Sequence, residues 1–241
     1  MQHKLLIANW KANPATLAEA EHLFHEEMKA AKKHPDVTVV LCAPFVYMPR
    51  FGSHAAVSLG AQDVFWEGGA HTGQISTSML KTFSVSHVLV GHSERREVGD
   101  MDEIINKKLH AVLAAGMTPI LLIGEPEQGP ARSDYLIDQL TRDLENVSAD
   151  DAKKILFCYE PVWAIGKLAA TSEYTLDAIH EMQSILNKMY GFKPSMLYGG
   201  SVNEHNVADF FRHEEIVGGV VGGASLRPDE FARMIEIVAK L

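Results

Sequence analysis

Several polar side chains stand where short apolar runs end, and their types suit moving a proton beside a carbonyl. Asn9 and Lys11 lie two residues apart after the first such run, on one face if the extended chain continues that far. A lysine held at a buried mouth is costly unless an anion or a carboxylate faces it. His92 precedes the polar run Ser93-Glu94-Arg95-Arg96, which can open a helix. An imidazole at a helix N-terminus is pushed toward its neutral form, fit to donate a hydrogen bond to a carbonyl. Glu160 sits between Tyr159 and Pro161, just ahead of Val162-Trp163-Ala164-Ile165-Gly166. A carboxylate covered by such an apolar segment gains basicity, because burial disfavours its charge. Pro161 and Gly166 bracket a segment able to close over it. The turns Gly199-Gly200-Ser201 and Gly222-Gly223 offer backbone N–H groups to an anion. Singly, each feature has a plainer explanation: a solvated rim lysine, one structural histidine among twelve, a salt-bridged rim glutamate, tight glycine turns. Jointly they describe a small phosphorylated compound losing a proton beside a carbonyl, with the enediolate steadied by Lys11 and His92.

These groups need a scaffold that gathers strand ends. Eight short apolar runs, at 4–8, 37–43, 57–61, 87–91, 118–123, 155–159, 195–198 and 219–222, alternate with longer amphipathic stretches. The runs are too short for helices, and several are apolar throughout, as strands buried on both faces should be. The stretches at 16–32, 102–115, 134–145, 174–190 and 229–240 carry helical periodicity, and the last begins Pro228-Asp229-Glu230, with acid at the positive helix end. Strict alternation implies a parallel sheet with right-handed crossovers. Eight units favour closure into a (β/α)8 TIM barrel, a single α/β domain spanning 1–241, over an open doubly wound sheet. A barrel keeps its active site at the carboxyl ends of the strands, and turns after strands seven and eight commonly cradle phosphate.

Composition narrows the partners. The 241 residues carry 22 Lys+Arg against 31 Asp+Glu, a formal charge of −9, with no basic run longer than two, so nucleic acid or an acidic membrane is not expected. Cys42 and Cys158 make neither a disulfide framework nor a metal cluster. The opening Met1-Gln2-His3 leads straight into an apolar run without a cleavable signal pattern, and no run approaches a membrane span, so a cytoplasmic location is expected. The Asn146-Val147-Ser148 sequon reads as chance.

Five segments together resemble the triosephosphate isomerase family: Asn9-Trp10-Lys11-Ala12-Asn13, Gly91 to Arg96, Tyr159 to Gly166, Tyr198-Gly199-Gly200-Ser201-Val202, and Gly222-Gly223-Ala224-Ser225-Leu226. They occur in the family's order, and the likeness spans essentially the whole chain. The resemblance implies that Lys11, His92 and Glu160 are catalytic: Lys11 meets phosphate and oxyanion, His92 polarises the carbonyl, and Glu160 shuttles the proton. It implies substrate contacts from Asn9, Gly166, Ser201, Gly222 and Gly223, with support from Ser93 and Glu94. No cofactor or metal is implied. The family is usually dimeric through the loop after strand three, here 62–73, with Thr72 reaching the partner's site. The apolar Val64-Phe65-Trp66 cluster fits a buried interface, unless it folds back onto its own barrel.

The chain also departs from the family's pattern. Where the family's lid continues Gly-Thr-Gly-Lys, this one runs Gly166-Lys167-Leu168-Ala169-Ala170-Thr171 and reads as about one residue shorter. Asp100 and Gln74 replace usual glutamates, and Leu122 a usual cysteine. Ser184 and Val217 replace an arginine and an aspartate expected to pair with one another in the family, so their joint loss strands no buried charge. The expectation is therefore a triose phosphate isomerase, with two alternatives. One is an isomerase of a four-carbon ketose phosphate, given room by the altered lid; the other is a silent phosphate-metabolite binder.

Overall fold

In the computed structural model, which describes residues 4–52, 55–166 and 169–241, the first apolar run forms strand β1 (Lys4–Asn9). It pairs in parallel with both β2 (Val37–Cys42) and β8 (Ile216–Val221), which closes the sheet. The remaining strands stand in chain order: β3 (Ser58–Ala61), β4 (His87–Val90), β5 (Thr118–Ile123), β6 (Leu156–Tyr159) and β7 (Met196–Tyr198). This is the expected (β/α)8 barrel. Between the strands lie α1 (Leu17–Lys33), α2 (Met48–Phe51), α3 (Thr77–Thr82), α4 (Ser93–Glu97), α5 (Asp102–Ala114), α6 (Arg132–Asp143), α7 (Ala149–Ala152), α8 (Ser172–Tyr190), α9 (Val207–Phe211) and α10 (Pro228–Val238).

Two buried clusters show how the barrel aims its strands. Leu5, Ile7, Val40, Cys42, Leu89, Ile120, Leu122, Cys158, Leu197, Val217 and Val220 pack together without a helix residue among them, so they fill the barrel's interior. Leu6, Ala8, Trp10, Val39, Leu41, Leu121 and Tyr159 instead join Leu109, Leu140, Ile179 and Phe231 of the helices in an outer layer. Side chains alternate along a strand. The inward series Leu5, Ile7 therefore continues to Asn9, and Cys158 continues to Glu160, at the carboxyl mouth.

Helix starts follow their caps. Thr16 and Glu19 form a reciprocal capping box before α1. Thr171 accepts from the Tyr174 N–H, so α8 begins two residues before its periodicity alone suggests. Strand β8 likewise begins three residues before the expected 219–222 run. Its glycines weaken the strand pattern in sequence, whereas pairing of Met196 with Ile216 and Leu5 with Gly218 outweighs propensity. Val217 thus lies within β8 and packs in the barrel interior, while Ser184 is exposed on α8. Helix α8 is linked instead to the residue just before β8, through His180 Nε2 and Glu215 Oε1, 3.3 Å apart.

The loop after β3 divides its apolar cluster. Val64 is buried in the chain's own core. Phe65 and Trp66 are half-exposed and stack on each other, their centroids 4.0 Å apart, with Lys107 over the Trp66 ring. Thr72 and Gln74 are exposed.

Candidate active site

Strand ends bring Asn9, Lys11, His92, Glu160, Gly166, Gly199, Gly200, Ser201, Gly222 and Gly223 around one cavity of about 420 Å³. A larger groove of about 1230 Å³ lies between α5 and α6, but it holds none of these groups. The smaller cavity, where titratable groups converge, is the candidate site.

Lys11 follows β1 with φ 53°, a backbone region unfavourable for any side chain but glycine's. Its N–H donates to Asn9 Oδ1 (3.1 Å), and Gln62 Nε2 donates to its carbonyl (2.8 Å). The held backbone sends the side chain across the mouth, where Nζ lies 2.5 Å from Glu94 Oε1. Glu94 is thus the carboxylate that the buried-mouth lysine requires. It supports Lys11 rather than touching the cavity itself.

His92 caps α4, and its Nδ1 accepts the Glu94 N–H at 3.1 Å. A nitrogen that accepts carries no proton, so the ring proton sits on Nε2, the atom facing Glu160 Oε1 at 3.2 Å. Burial holds this imidazole well below the usual histidine range, and Lys11 adds to the effect against Glu94. Neutrality thus comes mainly from desolvation, more than from the dipole of a five-residue helix.

Glu160 is only 3% exposed and is pushed above the usual carboxylate range, chiefly by burial. The Ser93 N–H, 2.9 Å from Oε2, and Lys11 oppose that shift, while Glu94 reinforces it. The result is a carboxylate of raised basicity, oriented by the Ser93 N–H and flanked by the His92 ring. Gly124 at the end of β5 leaves it room: a Cβ there would fall 2.0 Å from the Glu160 carbonyl oxygen, backbone against backbone.

The lid begins on a buried hub. Glu125 Oε1 accepts from Tyr159 Oη (2.9 Å), Trp163 Nε1 (2.8 Å) and Tyr174 Oη (3.1 Å). In sequence Glu125 looks like the start of the polar connection 125–131, yet it is buried. Its three donors lie 34 or more residues away, so nothing local marks it. Ser201 Oγ donates to the Ala164 carbonyl (2.7 Å), tying the seventh-strand turn to the lid. Lys167 and Leu168 of the lid fall outside the described residues, as do Met1-Gln2-His3. Thr72 is not brought to this cavity within one chain. Asn203 and Arg227, which the sequence does not single out, line the cavity's glycine end. Arg227 is held there by the Gly223 carbonyl and Glu230. Among the described residues no group of His, Cys, Asp or Glu is arranged to hold a metal ion.

A base, a neutral imidazole donor and a lysine around a glycine-lined recess, at the mouth of a closed parallel barrel, define an enzyme-type site for proton transfer on a phosphorylated carbonyl compound. The model of the family described as triosephosphate isomerase matches residues 4–238. The chain is 36% identical to the triosephosphate isomerase of Dictyoglomus thermophilum over 249 aligned positions, covering 98% of this chain and 100% of that protein. It is 39% identical to that of Trichodesmium erythraeum over 244 positions, and 38% identical to that of Alkaliphilus metalliredigens over 248, covering 98% of this chain and 99% of each protein. The chain belongs to the triosephosphate isomerase family.

Proposed function

We propose that this chain interconverts dihydroxyacetone phosphate and D-glyceraldehyde 3-phosphate through an enediolate. The observation that carries this reading is the Glu160 carboxylate 3.2 Å from the protonated Nε2 of a neutral His92, in one cavity with Lys11. Glu160 removes the proton from the hydroxyl-bearing carbon beside the carbonyl and returns it to the former carbonyl carbon, while the hydroxyl proton passes between the two oxygens by way of His92 Nε2. His92 Nε2–H donates to the carbonyl oxygen as negative charge develops there, and Lys11 balances that charge and the phosphate. The Gly166, Gly200–Ser201 and Gly222–Gly223 backbone lines the end where phosphate would sit, with Asn9 beside Lys11. The step requires only these side chains. No observation favours a four-carbon substrate or a silent binder, and intact Lys11, His92 and Glu160 speak against the latter. A coupled assay with both triose phosphates and a four-carbon ketose phosphate tests the reading. We expect turnover in both triose directions and a far lower kcat/KM for the longer ketose. Equal kcat/KM values, or no isomerisation, would overturn it.

The chain works as one domain and pairs with a second copy through 62–73. The half-exposed Phe65–Trp66 stack supports that pairing, as does the neighbouring recess lined by Phe45, Gly73, Gln74 and Arg95. Light scattering should give twice the chain mass at micromolar concentration; a monomer at all concentrations would refute the pairing. A cytoplasmic location accords with two buried, unpaired cysteines and with the absence, among the described residues, of a helix long and apolar enough to cross a membrane.

A further inference from the structure

The geometry points to Arg96 as a positioning residue that sets the His92–Ser93 backbone, and through it the Ser93 N–H that binds Glu160 and the His92 ring beside it. This rests on the isomerase reading above. Arg96 never touches the cavity. Its guanidinium turns back beneath the β4–α4 junction, and each of its three nitrogens has a different partner. Nε donates to the Gly91 carbonyl (3.0 Å), Nη1 to Asp102 Oδ1 (2.5 Å) and Nη2 to Asp143 Oδ2 (2.6 Å). Asp102 is the first residue of α5 and Asp143 the last of α6. Asp143 is fully buried, and its carbonyl is held by Asn106 Nδ2.

The Gly91 carbonyl belongs to the peptide that carries the His92 N–H, so anchoring it fixes that peptide plane. The next peptide carries the Ser93 N–H that binds Glu160 Oε2. Gly91 has φ 79°, and a Cβ there would lie 3.0 Å from the Leu122 carbonyl and 3.2 Å from Arg96 Nη2. The turn is therefore clamped between β5 and the guanidinium. A fork held at two buried or half-buried carboxylates cannot follow a rotating peptide, whereas a lysine in its place offers one mobile nitrogen. Misplacement by about 1 Å costs about 100-fold in rate where reacting atoms must be aligned.

The test is Arg96→Lys, with Asp102→Asn as the companion variant that loosens the fork while leaving Arg96 in place. In Arg96→Lys we expect kcat to fall about 10- to 100-fold with KM changed less than about 3-fold, because the glycine-lined end of the cavity is untouched. Asp102→Asn should show the same split at smaller amplitude, and decides the matter if Arg96→Lys does not fold. The distinguishing readout needs no turnover. The groups facing Glu160 are Lys11 after β1, His92 and Glu94 at α4 and Cys158 on β6. With these unchanged, loss of the Ser93 N–H contact should move the carbon-13 titration of Glu160 in the free protein to higher pH. The His92 Nε2 proton resonance should shift with it. A lowered Tm with kcat, the Glu160 titration and the His92 resonance all at wild-type values would make Arg96 merely structural and overturn the inference. An inactive wild type would overturn the isomerase reading instead, and the two resonances would still report on Arg96.

Discussion

Glu160→Gln should lower kcat by about 10²- to 10⁴-fold, the range carried by a positioned general base. The amide is nearly isosteric but cannot accept a proton from carbon. It also meets the Ser93 N–H, 2.9 Å from Oε2, with a single acceptor oxygen where the carboxylate has two. The glycine turns expected to hold phosphate are untouched, so the loss falls on kcat more than on KM. The fold should not suffer. Burial raises the Glu160 pKa in the folded chain above its unfolded value. Its contribution to stability is therefore fully present below the unfolded carboxylate pKa, and is lost as pH rises through the folded one. The glutamine variant lacks that loss, so its Tm should match or exceed wild type at alkaline pH. The same shift sets the acid side of the rate profile. Activity falls once Glu160 is protonated, so the acid limb of kcat/KM should lie above the ordinary carboxylate range. It should coincide with the directly observed titration of Glu160. Near-wild-type turnover in Glu160→Gln would remove this residue from the mechanism.

How much of this is legible in the chain depends on whether a signal is local. The strands are legible because a parallel strand buried on both faces reads as an apolar run between turn residues, and 118–123 is recovered to the residue. The start of β8 is not, because its pairing with β1 and β7 is non-local. Asn9 and Glu160 are found because each is the polar residue standing where an apolar run, 4–8 or 155–159, ends. The neutrality of His92 is anticipated for a secondary reason; its main cause, burial, depends on elements distant in sequence. Glu125, Asn203 and Arg227 escape notice for the same reason, since each acquires its role only when distant strand ends meet. Thr72 is the opposite case: its proposed role requires a second copy, so the single chain leaves it exposed.

Lys11→Met should reduce kcat/KM by at least about 10³-fold, divided between a higher KM and a lower kcat. A single oxyanion donor is worth about 10²- to 10³-fold in kcat. A hydrogen bond to a charged group adds about 1.5–3 kcal/mol, and the bound phosphate would lose one. Methionine keeps an unbranched side chain as far as Cε while deleting the ammonium that makes both contacts. The backbone around it should remain in place, because the φ of 53° is maintained by Asn9 and Gln62 acting on main-chain atoms. Those contacts offset a strain of about 1–2 kcal/mol and do not involve Nζ. Glu94 loses its partner but is half-exposed, so water can solvate it, and Tm should stay within a few degrees of wild type. Arginine should not substitute. A planar guanidinium on a longer stem cannot place a compact point charge where Nζ stands. A raised KM with unchanged kcat in Lys11→Met would confine Lys11 to phosphate binding. Unchanged kcat/KM would refute both of its roles and leave the −9 chain to hold a phosphate dianion chiefly through its glycine turns and Arg227.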